Sequence, residues 1–197
     1  MNAKLEQKER THQTILESAA RLVQGRGITG ARVADVMKGA GLTVGGFYAH
    51  FASKEDLVNE ALRRTGAELR AQLFARLEEK PKADRAEVVL KRYLSAAHRD
   101  AQTMGCALPA VVGEIGTTAG EHRAVIAEQV EALSAGLEKH LPRGRGAPRR
   151  ALALGLVALM YGGLSLARAL RGTGLSEEVI RACRSLGTAA ARGMTKR

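Results

Sequence analysis

Residues 27–57 constrain the fold of this chain more than any other stretch. They read as a short helix, a glycine-bracketed turn, a second short helix and a capped third helix. Val33, Val36 and Met37 share one apolar face. Gly39 and Gly41 flank a turn where a side chain would obstruct close helix crossing. Thr43 is expected to cap the next helix through its hydroxyl, and Phe47 and Phe51, four apart, mark that helix's buried face. Ser53-x-x-Asp56 then has the pattern of a capping box. Two helices crossing through a glycine turn, the second short and exposed on its outer face, point to a helix-turn-helix DNA reader.

The same residues resemble a known family. Gly27, Ala40-Gly41, Thr43, Gly45, the run Phe47-Tyr48-Ala49-His50-Phe51, Lys54 and Leu57 are similar to the signature of the TetR family of one-component repressors, over about residues 9–69. The resemblance implies that Tyr48 and Lys54 donate to DNA phosphates, with His50 beside them, and that Thr43, Val44, Gly45 and Gly46 open the recognition helix. Phosphate contacts set register; only groups that reach base edges select sequence. With two glycines there, Val44 and Thr43 are left to carry the direct reading. The chain departs from the pattern at Ala31-Arg32, where the family usually has Thr-Thr, so Arg32 offers a guanidinium to the backbone in place of a hydroxyl.

Beyond the reader the periodicity is helical throughout and no alternating pattern occurs, so the expected class is all-α. A first helix is expected over about 8–25, with Ile15, Leu16, Ala19, Leu22 and Val23 as its stripe and Gly25 and Gly27 as its stop. Leu57 to Leu77 continue a long helix that Lys80-Pro81-Lys82 ends. Further helices are expected at 85–100, 105–115 and 120–141, then a basic loop at 142–148, then 148–171 and 175–192. The resulting organisation is a reader at 9–69 followed by a larger helical domain for ligand binding and dimerisation at 70–197. Ala151–Ala167 holds no charge over 17 residues, the short limit for a membrane span. Its many Ala and Gly favour burial between the core and a second subunit over a membrane.

Composition excludes more than it assigns. A net charge of +11 favours a polyanionic partner. Residues 1–65, however, hold 10 Lys/Arg against 7 Asp/Glu, a net of +3, so +8 lies elsewhere. Cys106 and Cys183 form neither a disulfide framework nor a zinc spacing, no metal or cofactor is expected, and a polar N-terminus without an apolar leader suits a reducing cytoplasm. Gly25-x-Gly27-x-x-Gly30 matches a nucleotide-loop pattern literally, but it follows a helix rather than a strand. No nucleophile–base pairing, paired carboxylates or metal motif suggests an enzyme.

The expected partners are a palindromic double-stranded operator, a second copy of the chain and a small-molecule effector. Tyr93, His98, Met104, Cys106, Met160 and Tyr161 stand out among Leu, Ala and Val as pocket groups suited to an apolar or weakly polar ligand. Glu114 would select a cation if it faced inward. Met104-Gly-Cys-Ala-Leu108 is similar to a Gly-Cys-x-Leu element in a subset of TetR-like proteins, some of which sense electrophiles or oxidants. Two mechanisms therefore stay open: reversible occupancy, or covalent modification of Cys106, which the sequence places in a helix's first turn without an adjacent cation. An architectural DNA-binding protein without a ligand is the third reading.

Overall fold

In the computed structural model, residues 3–101, 105–141 and 148–193 are described. Among them the secondary structure is helical, with no strand. The chain forms two compact units. One comprises Met1–Ala67 with Gln102–Ile126, the other Glu68–Ala101 with Ala127–Arg197. The chain crosses from one to the other at residues 67–68, 101–102 and 126–127.

In the first unit, α1 (Ala3–Gly30) starts five residues earlier than the apolar stripe suggests, and only Gly27, at φ 73°, ψ −174°, interrupts it. The early start is a polar extension, since residues 3–10 are all exposed. Helix α2 (Val33–Gly39) crosses α1 closely: the Ser18 hydroxyl donates to the Val36 carbonyl at 2.8 Å. A Cβ on Gly39 would lie 2.4 Å from that hydroxyl. Gly41, at φ 71°, makes the left-handed turn. The recognition helix follows as a 3₁₀ helix, Val44–Ala49, rather than the α-helix expected. Thr43 occupies its N-cap position, but contrary to expectation its hydroxyl makes no capping bond.

Helix α3 (Lys54–Phe74) begins with the expected cap: the Asp56 N–H donates to the Ser53 hydroxyl at 3.0 Å. Ile15, Leu16, Ala19, Val36, Met37, Phe47, Phe51, Leu57 and Ala61 close into one core. Helix α6 (Leu108–Thr117) brings Val111 and Ile115 to a second core with Val23, Ile28, Val58 and Leu62. The reader is thus built on two cores, and one of them takes in a segment that a single cut near residue 70 assigns elsewhere.

In the second unit, α3 stops at Phe74, before the Pro81 expected to end it, through a left-handed Arg76 and a 3₁₀ turn, Leu77–Glu79. The helix expected at 85–100 is two: α4 (Arg85–Tyr93) and α5 (Ala96–Asp100), parted at Leu94 and restarted by Ser95, whose hydroxyl accepts from the His98 N–H. Ser95 supplies the reason, because a hydroxyl at this position competes for the backbone and starts a new turn. The C-terminal part of α7 (Arg123–His140), α8 (Arg149–Ala169) and α9 (Gly174–Gly193) complete the unit. The expected loop at 142–148 lies almost wholly outside the described residues.

Helices α8 and α9 pack antiparallel. A Cβ on Gly163 would meet the Cys183 sulfur at 2.8 Å, and one on Gly187 would meet Leu159 at 3.1 Å. Burial raises the Cys183 thiol pKa, which suits a packing role. By length and composition α8 could cross a membrane. Instead Ala153, Leu156, Val157, Met160 and Leu164 are buried against the unit's other helices.

Candidate nucleic-acid interface

The recognition helix is held from beneath and open above. Phe47 and Phe51 are buried and stack on each other at 5.8 Å between centroids, and His12 of α1 stacks on Phe51 at 4.4 Å. Four positions here are side-chain-poor or short: Thr43, Val44, Gly45 and Gly46, all exposed. Val44 is 50% exposed and Tyr48 77%, the ring of Tyr48 resting edge-on against Phe47 at 5.1 Å. Two buried phenyl anchors fix the backbone while most of the Tyr48 ring stays in solvent, an exposed aromatic of the kind found at contact surfaces.

Gly45 has nothing within 4 Å of where a Cβ would sit, and Gly46 has only the Met37 methyl at 3.8 Å. The fold therefore does not require glycine at either position. Their bareness leaves the backbone of the recognition helix uncovered.

Around this face the structure gives each expected group a definite place. Arg32 stands exposed at the N-cap of α2 with extended backbone and no capping bond. Ala31 beside it is buried, so the departure from Thr-Thr puts an apolar group into the core and a cation outside. His50 is half-buried. Burial first, then the charges of His12 and Lys8, hold its imidazole below the ordinary value, and its Nδ1 has no hydrogen-bond partner among the described residues. The Lys54 ammonium donates to the Ile28 carbonyl at 2.9 Å, capping the end of α1. That contact uses one of its three protons and ties α3 to α1.

A residue whose role the sequence did not disclose closes the same corner. Glu114 of α6 accepts from the Ile28 N–H at 2.9 Å, the Thr29 N–H at 2.8 Å and the Thr29 hydroxyl. Burial raises this carboxyl, but the Thr29 and Ile28 donors and the Lys54 charge outweigh it and leave its pKa lowered. A Cβ on Gly27 would fall 1.8 Å from Glu114 Oε1, so both the positive φ and the bare Cα at Gly27 serve this carboxylate. Glu114 is spent on backbone donors of its own unit, which is the physical reason to set aside its selection of a cationic ligand. The signal was Gly27 itself, which otherwise reads only as a helix stop.

The expected pocket groups are only partly gathered. Tyr93 and His98 meet edge-on at 4.7 Å, with the His98 Nδ1–H donating to the Tyr93 carbonyl at 2.8 Å. Burial above all, with Arg168 adding to it and the Tyr93 carbonyl opposing, pushes His98 down to about 4. Met160 is buried and Tyr161 half-buried on α8, against which α4 and α5 pack. Met104 lies outside the described residues. Cys106 belongs to the first compact unit, is only 4% exposed, and precedes α6 rather than occupying its first turn. Among the described residues no group of His, Cys, Asp and Glu could hold a metal.

Three helices around a phenylalanine core, with an exposed third element after a glycine turn, define a helix-turn-helix module, the class that seats a short helix in the major groove. Residues 15–61 match the profile of bacterial regulatory proteins of the tetR family. The HTH-type transcriptional repressor KstR2 of Mycobacterium tuberculosis is 47% identical over 49 residues, 25% of this chain and 24% of that protein. This match therefore spans about a quarter of the relative's length. A TetR transcriptional regulator from Chloroflexus aurantiacus is 26% identical with a TM-score of 0.72, covering 98% of each chain. A TetR-family regulator from Streptomyces coelicolor shares the fold at TM-score 0.76 and 24% identity, over 100% of this chain and 97% of that one. Residues 15–61 therefore carry a helix-turn-helix domain of the tetR type, and nearly the whole chain shares the fold of TetR-family transcriptional regulators.

Proposed function

We propose that this protein represses transcription by binding a palindromic operator as a homodimer and leaves it when a small molecule binds. The reader is assigned to residues 9–69 and the effector and dimerisation domain to 70–197, with α6 packed on the reader. The observation that carries the DNA reading is the two-faced recognition helix: Phe47 sealed inside, Val44, Gly45, Gly46 and Tyr48 outside. Val44 and the uncapped Thr43 hydroxyl reach base edges. Tyr48, Arg32, His50 and the remaining Lys54 protons take phosphates.

Dimerisation is supported by the outer faces of α8 and α9. Ala151, Leu154, Gly155, Ala158 and Leu166 form an exposed stripe at helical spacing, with Leu175, Ala182, Leu186 and Ala189 on α9. No neighbour lies within 4 Å of a Cβ at Gly155 or Gly162, which leaves room for another helix to approach. Two readers about 34–36 Å apart then engage successive major grooves.

The effector site is assigned within the second unit to Tyr93, His98, Met160 and Tyr161. A neutral imidazole and a phenol among aliphatic groups suit a weakly polar ligand. An effector releases DNA only by binding the released state more tightly than the bound one. The burial of Cys106 favours reversible occupancy over thiol modification. A gel shift on DNA upstream of the chain's own gene, repeated with candidate effectors, tests the proposal. A shifted band abolished by one compound supports it. A band that no compound changes favours an architectural protein, and no band at low salt refutes DNA binding.

A further inference from the structure

The recognition helix, Val44–Ala49 with Thr43 before it, carries no Arg, Lys, Asn, Gln, Asp or Glu. Those are the side chains that pair bidentately with guanine or adenine, or accept from cytosine, in the major groove. Two hydroxyls remain, on Thr43 and Tyr48. The proposed function spends Tyr48 on phosphate. The Thr43 hydroxyl both donates and accepts, so it fits either kind of base edge. Hydrogen bonding alone therefore leaves this face almost blind to sequence.

What the face offers instead is apolar surface. Leu42, Val44 and Tyr48 are large apolar side chains left exposed close together in the chain, the pattern of a contact surface rather than of scattered exposure. Val44 opens the recognition helix. Its χ1 is stiff because it is β-branched, and Phe47, one 3₁₀ turn on, is buried and fixes the backbone beneath it. A side chain this short reaches a base only if the backbone comes close. Gly45 and Gly46 permit that approach, and neither is needed inside the protein: a Cβ at Gly45 meets nothing within 4 Å and one at Gly46 only the Met37 methyl at 3.8 Å. The one apolar group that the base pairs present in the major groove is the C5-methyl of thymine.

We propose that Val44 selects thymine in each half-site by packing its isopropyl group on the C5-methyl. This rests on the DNA-binding reading and names the base chemistry that its recognition helix takes. The contact removes apolar surface of both partners from water and needs no donor or acceptor. Uracil keeps every hydrogen-bonding group of thymine and lacks only that methyl, so it isolates the contact from all others.

The test uses the full-length chain and the tightest-binding duplex selected from a random pool of about 40 base pairs, long enough for two half-sites a helical turn apart. Each thymine is replaced in turn by deoxyuridine, in both half-sites together. Burying one methyl group contributes about fourfold in affinity. At the position read by Val44 the wild-type protein is therefore expected to lose about fourfold per half-site and about fifteenfold for the pair. Val44→Ala is expected to bind the thymine duplex at least as weakly as wild type binds the uracil one, and to lose nothing further on uracil. Val44 is 50% exposed, so the two proteins should melt alike, and Val44→Thr, which keeps the shape and one methyl, should bind between them. A selected duplex in which no uracil weakens binding overturns the assignment while DNA binding stands. An equal loss at every thymine, the mark of shape readout, overturns it too, as does a uracil effect undiminished in Val44→Ala. Failure of the wild-type protein to bind any duplex of the pool at low salt overturns the DNA reading itself.

Discussion

Replacing Glu114 with Ala removes the carboxylate that accepts from Ile28 N–H, Thr29 N–H and the Thr29 hydroxyl. A hydrogen bond to a charged group contributes about 1.5–3 kcal/mol, but an exposed donor recovers most of that from water. Thr29 is exposed, so its two donors are largely resolvated; Ile28 is buried, so its N–H is left without a partner. The expected loss is about 2 kcal/mol, which for a chain of this length lowers Tm by about 4–8 °C. Glu114→Gln keeps one acceptor and turns an N–H toward other N–H groups, so it falls between wild type and Ala. Differential scanning calorimetry gives the shift, and hydrogen exchange at the Ile28 amide locates it. The carboxyl's pKa is lowered in the folded chain. Its stabilisation is thus complete above the ordinary carboxylate value of 4.5 and is lost as pH falls through the lower folded value. The gap between wild type and Ala should close on acidification. An Ala variant within about 1 °C of wild type, with the Ile28 amide still protected, would refute the reasoning.

Tyr48→Phe should leave Tm unchanged, because the hydroxyl stands in water, while weakening random and operator DNA equally; a change in sequence preference would make Tyr48 a base reader. Gly45→Ala should raise stability by about 0.4–1 kcal/mol through the unfolded state yet reduce DNA affinity, since its Cβ meets nothing in the protein and only an outside surface can object; undiminished affinity would mean that the backbone keeps its distance. Gly162→Arg places a charge on the open face of α8 and should convert dimer to monomer by analytical ultracentrifugation, with unchanged helicity; a persistent dimer would move the interface elsewhere. His98 is held down to about 4 against an ordinary 6.5, so the unfolded chain takes up its proton first. Stability should fall by about 3 kcal/mol between those two values and level off below them, and His98→Gln should flatten that span of the pH profile.

The reader was legible because its constraints are local. Phe47 and Phe51 at a spacing of four, Gly41 in the turn and Ser53 before Asp56 each act within a few residues, and each does what its chemistry requires. What escaped the sequence was long-range or ambiguous. Glu114 lies 85 residues from Thr29, and no pattern along α6 tells a carboxylate facing backbone N–H groups from one facing solvent. The 3₁₀ form of the recognition helix was hidden for a related reason: two glycines and a tight turn leave too few residues to distinguish i+3 from i+4 bonding. The break at Leu94 was signalled by Ser95, but apolar periodicity continued across it and masked it.

The bareness of the recognition helix bears on how such a reader can be regulated. With Val44 and Thr43 as the side chains aimed at bases, direct readout per half-site is small, since each good bidentate pair contributes about 1–3 kcal/mol and neither residue forms one with a base edge. On the proposed reading, affinity then depends on phosphate contacts from Arg32, Tyr48 and Lys54, which Phe47, Phe51 and the Glu114–Thr29 corner hold in one frame. A rigid set of phosphate contacts is unforgiving of displacement, because moving one reader against its partner takes every contact out of register together. An effector that changes the separation of two such readers by a few ångströms therefore loses many small terms at once. On the proposed reading, a ligand in the second unit would thus gain leverage over DNA without touching the recognition helix.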